Sequence, residues 1–338
     1  MTQSMANPVP VTLLAGFLGS GKTTLANRIL SEDHKQRFAV IVNEFGDVNI
    51  DGRLVVGTGD NVIELSNGCL CCTVQGDLAA TLHTLLRRRR QAVGAESFER
   101  ILIEASGLAS PGPAVQTLLA DPMLALQLRL DGVITLVHGQ HIARQIEEHP
   151  EASAQIGYAD QIILNHCDQC TAEMLTAAET AIRSSNRYAE VVKTTHADVD
   201  IASLLNIRTW DEMARKPVSA APHADHMHHD HHAHDDDHMH TCDVSTLTLR
   251  STAPLDVNRL RVWLVFLVKR SSHDLMRLKG IMRSHQHDVA ITAQGIYRFV
   301  ELREGPGAAP DESVLVLIGR HLDAAEIQRE WEDCRARI

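Results

Sequence analysis

A glycine-rich loop near the amino end of the chain has the residue types that bind phosphate groups. Within VTLLAGFLGSGKTT, four residues separate Gly16 from Gly21-Lys22-Thr23, between an apolar run and a helical pattern. This spacing and context are typical of phosphate-binding loops, whose backbone N–H groups face an anion at a helix start. The lysine then reaches the β and γ phosphates and the threonine hydroxyl binds Mg²⁺. We expect a nucleotide to bind at Gly16, Gly19, Ser20, Gly21, Lys22, Thr23 and Thr24.

A second motif, IEASG, follows another short apolar run. Its acid is Glu104, and Gly107 comes three residues later, at the start of a loop that continues LASPGP. An acid at the end of a buried strand assists Mg²⁺ in nucleotide hydrolases, directly or through water, and the glycine offers its N–H to the γ-phosphate. We predict catalytic roles for Glu104 and Gly107, together with Lys22 and Thr23, and a switch function for the loop.

A third motif, Asn165-His166-Cys167-Asp168, stands at a strand end where guanine-binding proteins carry Asn-Lys-x-Asp. A carboxylate in that position accepts hydrogen bonds from guanine N1–H and the 2-amino group, which adenine does not present in the same arrangement. Asn165 and Asp168 therefore favour GTP over ATP. The histidine in place of lysine alters what stacks over the base. Cys167 and Cys170 form a C-x-x-C pair without a second pair to complete a zinc site, which favours a structural role.

Three cysteines within four positions form a cluster of soft donors. Cys69, Cys71 and Cys72 follow an apolar run and a Ser-Asn-Gly turn. Thiolates suit Zn²⁺ or Cu(I) and accept Co²⁺ or Ni²⁺. One loop supplies two or three of them and leaves a coordination position for Glu44, a histidine, water or a receiving protein. Such an incomplete site suits metal transfer better than storage; buried structural cysteines are the alternative.

A histidine-rich segment interrupts the chain between residues 215 and 243. It holds nine of the twenty histidines and almost no large apolar residue, so we expect a mobile linker. Its imidazoles alternate with aspartates and offer overlapping sites for Zn²⁺, Ni²⁺ or Co²⁺, able to collect metal. A merely polar linker is the alternative. The predicted ligands are His226, His228, His229, His231 and His232.

The elements that position these motifs alternate between short apolar strands and amphipathic helices from residue 11 to about 195. This order predicts a largely parallel sheet covered by helices on both faces, with ligands at the carboxyl ends of its strands. Helical patterns occupy Leu25–Leu30 and Met174–Ile182. The predicted strands are Val11–Leu14, Phe38–Val42, Val62–Leu65, Ile101–Ile103, Val133–Val137, Gln161–Leu164 and Glu190–Lys193.

After the histidine-rich segment, β and helical patterns resume. Strands are predicted at Ser245–Leu249, Gly295–Leu302 and Ser313–Ile318, with helices that start at Asp256 and Asp323. The chain therefore divides into an α/β phosphate-loop NTPase domain (1–214), a flexible linker (215–243) and a smaller α+β domain (244–338).

Composition limits the remaining choices. The chain has 338 residues, 44% of them hydrophobic, and a net charge of −11, which argues against nucleic acid as the main partner. The chain has seven cysteines, three of them within four positions. This odd number and close spacing favour reduced thiols over a disulfide framework. Without a signal peptide or an apolar run of about 18 residues, we expect no membrane partner and a cytoplasmic protein.

Five stretches in this order carry a resemblance to a family: GFLGSGKTTL, NEFGDVNID, ELSNGCLCC, IEASGLASPGP and GYADQIILNHCD. The chain resembles the CobW-type metal-chaperone GTPases, most closely their YjiA-like branch, over nearly its whole length, including a C-terminal Leu-Lys-Gly stretch. The resemblance implies a GTPase related to the signal-recognition and MinD class. It would bind zinc or a similar ion at Cys69, Cys71 and Cys72 and pass it to a client protein. Two residues depart from the family pattern. His166 stands in the base-binding motif in place of lysine, and His138 lies at a strand end where relatives often have aspartate.

Together these observations predict a slow GTP hydrolase that acts as a switch and delivers metal, zinc first, to a client metalloprotein. No glutamine or arginine finger is evident, so unassisted turnover should be on the order of 10⁻⁴ to 10⁻² s⁻¹. A metal buffer or sensor with incidental nucleotide binding, a GTPase for cobalt or nickel insertion, and a small-molecule kinase are the alternatives. Both a monomer and a homodimer remain open.

Overall fold

The computed structural model describes residues 8–32, 36–42, 75–91, 98–205, 207, 244–271 and 274–336, with the backbone alone at 75–77 and 306. The first part of the chain alternates strands with helices, and its strands are parallel, as expected. Among the described residues six strands form this sheet, in the order β2-β3-β1-β4-β5-β6. Their bounds are β1 Val9–Gly16, β2 Phe38–Val42, β3 Arg100–Glu104, β4 Leu128–His138, β5 Gln161–Asn165 and β6 Glu190–Lys193.

Helices cover both faces of this sheet because successive residues of its central strand point to opposite sides. Leu13 of β1 packs in a core that contains residues of α2 and α3, whereas Leu14 packs in a second core with residues of α1 and α8. The helices are α1 Lys22–Ser31, α2 Gln75–Gln91, α3 Gly112–Ala120, α4 Pro122–Ala125, α5 Ile142–Glu148, α6 Pro150–Tyr158, α7 Ala172–Ser185 and α8 Ile201–Leu204.

The second part is an antiparallel sheet with two helices. Its strands lie in the order β10-β9-β8-β11-β7. The helix starts predicted at Asp256 and Asp323 are confirmed, since each carboxylate accepts at least one hydrogen bond from a backbone N–H group of the first turn. The elements are β7 Ser245–Ser251, α9 Val257–Arg270, β8 Leu275–Met282, β9 Val289–Ile296, β10 Phe299–Ala308, β11 Ser313–Gly319 and α10 Ala324–Asp333.

The two sheets share a hydrophobic core. Leu315 and Leu317 of β11 pack with α9 and α10, whereas Val314, Val316 and Ile318 belong to the same core as Leu13 of the first sheet. The face of the second sheet that carries no helix of its own is therefore buried against the first domain.

The single strand predicted at Gly295–Leu302 is wrong. β9 ends at Ile296, and β10 starts at Phe299, which pairs with it across a tight hairpin. Tyr297 in the turn has a positive φ of 57°. Glycine or asparagine usually occupies such a position, and because this turn has neither, it could not be predicted from the sequence. The strand β8 was not predicted. None of the described helices is long and apolar enough to cross a membrane.

Candidate functional site

The phosphate-binding loop follows β1 directly, at the carboxyl edge of the parallel sheet. Its backbone requires glycine at two close approaches. At Gly16 φ is 139° and an added Cβ would lie 2.2 Å from the Leu136 carbonyl oxygen. At Gly21 φ is 103° and a Cβ would lie 2.4 Å from Asn165 Nδ2. The loop is thus wrapped tightly between β4 and β5, with α1 starting at the next residue.

Two polar side chains inside the loop are suited to an anion. Lys22 folds back over the loop, and its Nζ donates to the carbonyl oxygens of Gly16 at 2.9 Å and Phe17 at 3.1 Å. Ser20 Oγ is buried and has no hydrogen-bond partner among the described residues. Gly19, with a φ of 73°, is exposed, and Thr24 is exposed in the first turn of α1. The loop therefore has a lysine ammonium and a buried hydroxyl that can bind an anion.

Glu104 and Thr23 meet at the same edge. β1 and β3 are adjacent, with Leu14 opposite Glu104 in the register, so the end of β3 lies beside the start of α1. Thr23 Oγ1 donates to Glu104 Oε1 at 2.8 Å, and Glu104 is 4% exposed. Gly107 packs against the loop, where an added Cβ would lie 2.4 Å from Leu18 Cδ2. The structure thus brings together the four predicted catalytic residues, Lys22, Thr23, Glu104 and Gly107.

Asn165 is a buried residue whose side chain contacts two loops. It is 1% exposed, and its Nδ2 donates to the Ser20 carbonyl oxygen at 3.0 Å. Its Oδ1 accepts from the Ala197 backbone N–H at 2.9 Å. The side chain therefore fixes the phosphate-binding loop and the loop after β6 relative to each other. Asp168, two residues beyond His166, is exposed and available to a ligand.

Sequence reasoning missed the loop at 194–198. It follows β6, the strand next to β5, and so lies at the same carboxyl edge. His196 and Ala197 both have a φ of 54°, and the Thr194 hydroxyl donates to the Asp198 carbonyl oxygen at 2.7 Å. The only available signal was its position after a predicted strand, because Thr-Thr-His-Ala matches none of the motifs considered above.

Three histidine rings lie together beside this edge. His138, at the end of β4, stacks on His166 with ring centroids 4.2 Å apart and planes inclined by 14°. The ring centroid of His141 lies 4.4 Å from that of His138. Neither ring nitrogen of His166 has a hydrogen-bond partner among the described residues. Burial, together with the charges that His166 and His141 would carry, lowers the pKa of His138 to about 4.

The predicted metal ligands Glu44, Cys69, Cys71 and Cys72 lie outside the described residues, as do the strand predicted at Val62–Leu65 and the histidines of the 215–243 segment. Within the described part of the chain no group of three histidine, cysteine or acidic residues is arranged to hold a metal ion. The C-x-x-C thiols contact backbone instead: Cys167 Sγ donates to the Leu164 carbonyl oxygen at 3.1 Å, and Cys170 Sγ to that of His166 at 3.3 Å.

Comparison with known proteins extends the resemblance to the whole chain. The "Zinc chaperone YjiA" of Escherichia coli K12 is 33% identical over 332 residues, which cover 97% of this chain and 99% of that protein. The crystal structure of its Zn(II)-bound form has a TM-score of 0.72 at 31% identity and covers 98% of this chain and 100% of that one.

A shorter match is the "Zinc-regulated GTPase metalloprotein activator 1" of Schizosaccharomyces pombe, 34% identical over 215 residues. It covers 61% of this chain and 51% of that protein. Two family descriptions match consecutive regions: the nucleotide-binding domain of CobW/HypB/UreG at residues 10–193, and the C-terminal domain of cobalamin synthesis protein cobW at residues 244–335. The chain therefore belongs to the CobW family of the CobW/HypB/UreG group.

Proposed function

We propose that this protein is a GTP-hydrolysing metal chaperone that binds zinc and delivers it to a client metalloprotein under nucleotide control. The observation that carries the proposal is the convergence of Lys22, Thr23 and Glu104 beside Asn165 in a chain that matches a zinc chaperone over 97% of its length. Phosphate, Mg²⁺ and base would each meet a suitable group along one edge of the sheet.

The nucleotide part rests on the loop after β1. Lys22 Nζ lies at the loop's own carbonyl oxygens, 2.9 Å from that of Gly16, and would exchange these contacts for phosphate oxygens when a nucleotide binds. Ser20 Oγ supplies a further donor. Asp168 is exposed beside His166 and would accept from the guanine edge, so we expect GTP to bind better than ATP.

Mg²⁺ fits the pair formed by Thr23 and Glu104. A hydroxyl and a carboxylate oxygen 2.8 Å apart are the hard oxygen donors that Mg²⁺ prefers. Bound there, the ion would neutralise charge that develops on the phosphates during hydrolysis. Glu104 is the last residue of β3, which places its carboxylate beside the phosphate loop, and Gly107 packs against Leu18 of that loop. Their arrangement supports hydrolysis, slow without an activating partner.

The metal part rests on sequence motifs and relatives. Cys69, Cys71 and Cys72, with Glu44 as a fourth candidate, form the proposed cargo site, and His226, His228, His229, His231 and His232 the proposed collecting site. Both sets accept Zn²⁺, and Co²⁺ or Ni²⁺ less specifically. A relative named a zinc chaperone and another named a metalloprotein activator favour zinc as cargo and a client protein as recipient.

The test is zinc affinity measured by competition with a chromophoric chelator, in the GDP form and in the form loaded with a non-hydrolysable GTP analogue. We expect affinities that differ tenfold or more between the two forms, which is about 1.4 kcal/mol of coupling. Serine in place of Cys69, Cys71 and Cys72 should abolish the difference. The matched control changes Cys167 and Cys170 to serine, because their thiols bind backbone carbonyl groups.

Equal affinity in the two nucleotide forms would refute nucleotide control.

The histidine-rich segment favours a second candidate function, a metal buffer, in which the affinity for zinc does not depend on the bound nucleotide. Alanine at the five proposed collecting histidines would then remove most of the bound zinc, whereas in a chaperone it should leave the cysteine site and its nucleotide dependence in place. Parallel titrations with Co²⁺ and Ni²⁺ decide the preferred ion.

A further inference from the structure

The helix α6, Pro150–Tyr158, contacts the loop that follows Glu104 and the C-terminal domain, and the residue just before it contacts the phosphate-binding loop. All of its residues from Ala152 to Tyr158 are buried. Protein therefore surrounds this part of the helix, and each neighbour constrains where the helix lies.

On one side α6 holds the loop that follows Glu104. Gln155 is 1% exposed, and its Nε2 donates to the carbonyl oxygens of Gly107 at 3.1 Å and Ala109 at 3.0 Å. Further along the same loop, Gly112 lies against the Tyr158 ring, where an added Cβ would be 2.7 Å from the hydroxyl oxygen. The loop is thus fixed to α6 at its beginning and at its end.

The residue just before α6 contacts the phosphate-binding loop itself. The ring of His149 stacks on Phe17, with centroids 4.7 Å apart. Phe17 is the second residue of the glycine-rich loop, and its carbonyl oxygen accepts from Lys22. Both elements predicted to contact the γ-phosphate therefore adjoin the same helix.

The other side of α6 belongs to the C-terminal domain. Arg277 of β8 donates from Nη1 to the Tyr158 carbonyl oxygen at 2.8 Å, and Arg320 donates to the Pro150 carbonyl oxygen at the opposite end. Between them Gly157 allows a close approach, since an added Cβ would lie 2.5 Å from Met276 Sδ. Both ends of the helix are thus attached to the second domain.

We propose that α6 couples the nucleotide state to the C-terminal domain, and that Gln155 is the positioning residue of this coupling. The inference rests on the proposed GTP binding and goes beyond it by naming the path. A close-packed interior moves in discrete steps. A shift of the loop on γ-phosphate binding must therefore either break both Gln155 hydrogen bonds or displace α6, and α6 cannot move without displacing Arg277 and Met276.

The experiment uses the full-length protein and hydrogen exchange of peptides that span Leu275–Met282. Protection of β8 is compared between the GDP·Mg²⁺ form and the form with a GTP analogue and Mg²⁺. In the natural sequence we expect exchange rates to differ at least fivefold, the lower end of typical couplings. Gln155→Leu keeps the side-chain volume and removes both donors, and should reduce the difference to less than twofold.

Two further variants separate coupling from general damage. Gln145→Leu changes a partly buried glutamine of the neighbouring helix and should preserve the difference. Arg320→Gln weakens the attachment from the opposite side and should also reduce it. Because coupling is reciprocal, Arg320→Gln should in addition change the ratio of GTP to GDP affinity. This variant decides the question if Gln155→Leu does not fold.

Nucleotide binding measured on the same samples keeps the two proposals distinct. If both nucleotides bind and β8 exchanges equally in both forms, the coupling is wrong while the GTPase stands. Survival of the full difference in folded Gln155→Leu also contradicts it, as does its loss in Gln145→Leu. A protein that binds no GTP would overturn both proposals.

Discussion

Replacing Asn165 with alanine should lower both the stability of the protein and its affinity for GTP. The amide joins two loops, by its bond to the Ser20 carbonyl oxygen at 3.0 Å and by the bond from the Ala197 N–H at 2.9 Å. With the side chain 1% exposed, removal leaves two buried backbone groups without partners. At about 1–3 kcal/mol for each, the expected loss of unfolding free energy is about 2–6 kcal/mol.

The affinity for GTP should fall as well, because Ser20 and Gly21 lose the group that holds them in place. Losing one net hydrogen bond of about 1 kcal/mol from the organised loop corresponds to a five- to tenfold weaker GTP complex. The assays are urea unfolding without nucleotide, read as the midpoint shift multiplied by the m value, and equilibrium binding of a fluorescent GTP analogue.

The control is Asp131→Ala, which breaks a buried ion pair with Arg100 away from the carboxyl edge of the sheet. It should cost about 3–5 kcal/mol of stability and leave GTP affinity unchanged. The reasoning about Asn165 is refuted if its alanine variant binds GTP as tightly as the natural sequence, or if Asp131→Ala weakens binding just as much.

Other predictions concern the site's titratable groups. His138 has a folded pKa of about 4 and an unfolded pKa near 6.5, so between these values the unfolded chain binds the extra proton. The free energy of unfolding should therefore rise with pH across that window, by at most about 1.4 kcal/mol per pH unit from this group, and level off above it. Urea unfolding of His138→Asn should give a shallower dependence of this free energy on pH. An equal dependence in the variant would contradict the assignment. Glu104→Gln should preserve GTP binding within a fewfold in the absence of Mg²⁺ but lower single-turnover hydrolysis by at least about 100-fold, as for loss of one electrostatic group in a catalytic site; hydrolysis within threefold of the natural rate would exclude a role for the carboxylate. His166→Lys should raise the ratio of GTP to ATP affinity in competition binding, since a lysine stem replaces the imidazole stacked on His138; an unchanged ratio would show that this position does not contact the base.

Local patterns sufficed for much of the fold. Strands at Phe38–Val42 and Glu190–Lys193 have the predicted bounds, and α9 and α10 start after the predicted caps Asp256 and Asp323. The phosphate loop, Glu104 and Asn165 all lie at one edge of the sheet, as expected. These features follow from residues close in sequence, because a glycine-rich turn, a helix cap and a buried strand each depend on a few neighbouring side chains.

Features that depend on distant residues escaped prediction. The turn of the hairpin at Tyr297 has no glycine or asparagine, and its two strands are held by pairing rather than by turn chemistry. The loop at 194–198 acquires its place only because β6 lies next to β5. The cysteine motif around Cys69 falls outside the described residues, so metal binding there remains a prediction.

The sequence by itself predicted which residues could bind phosphate, Mg²⁺ and base, since each motif has its chemistry within a few positions. Tertiary structure alone decided what joins them. The apolar run of β11 indicates a strand buried on both faces, yet only packing assigns Leu315 to its own helices and Val316 to the first domain. Gln155 is likewise one polar residue in a helix until folding brings it to Gly107, 48 positions away, because such contacts depend on how elements pack and not on local pattern.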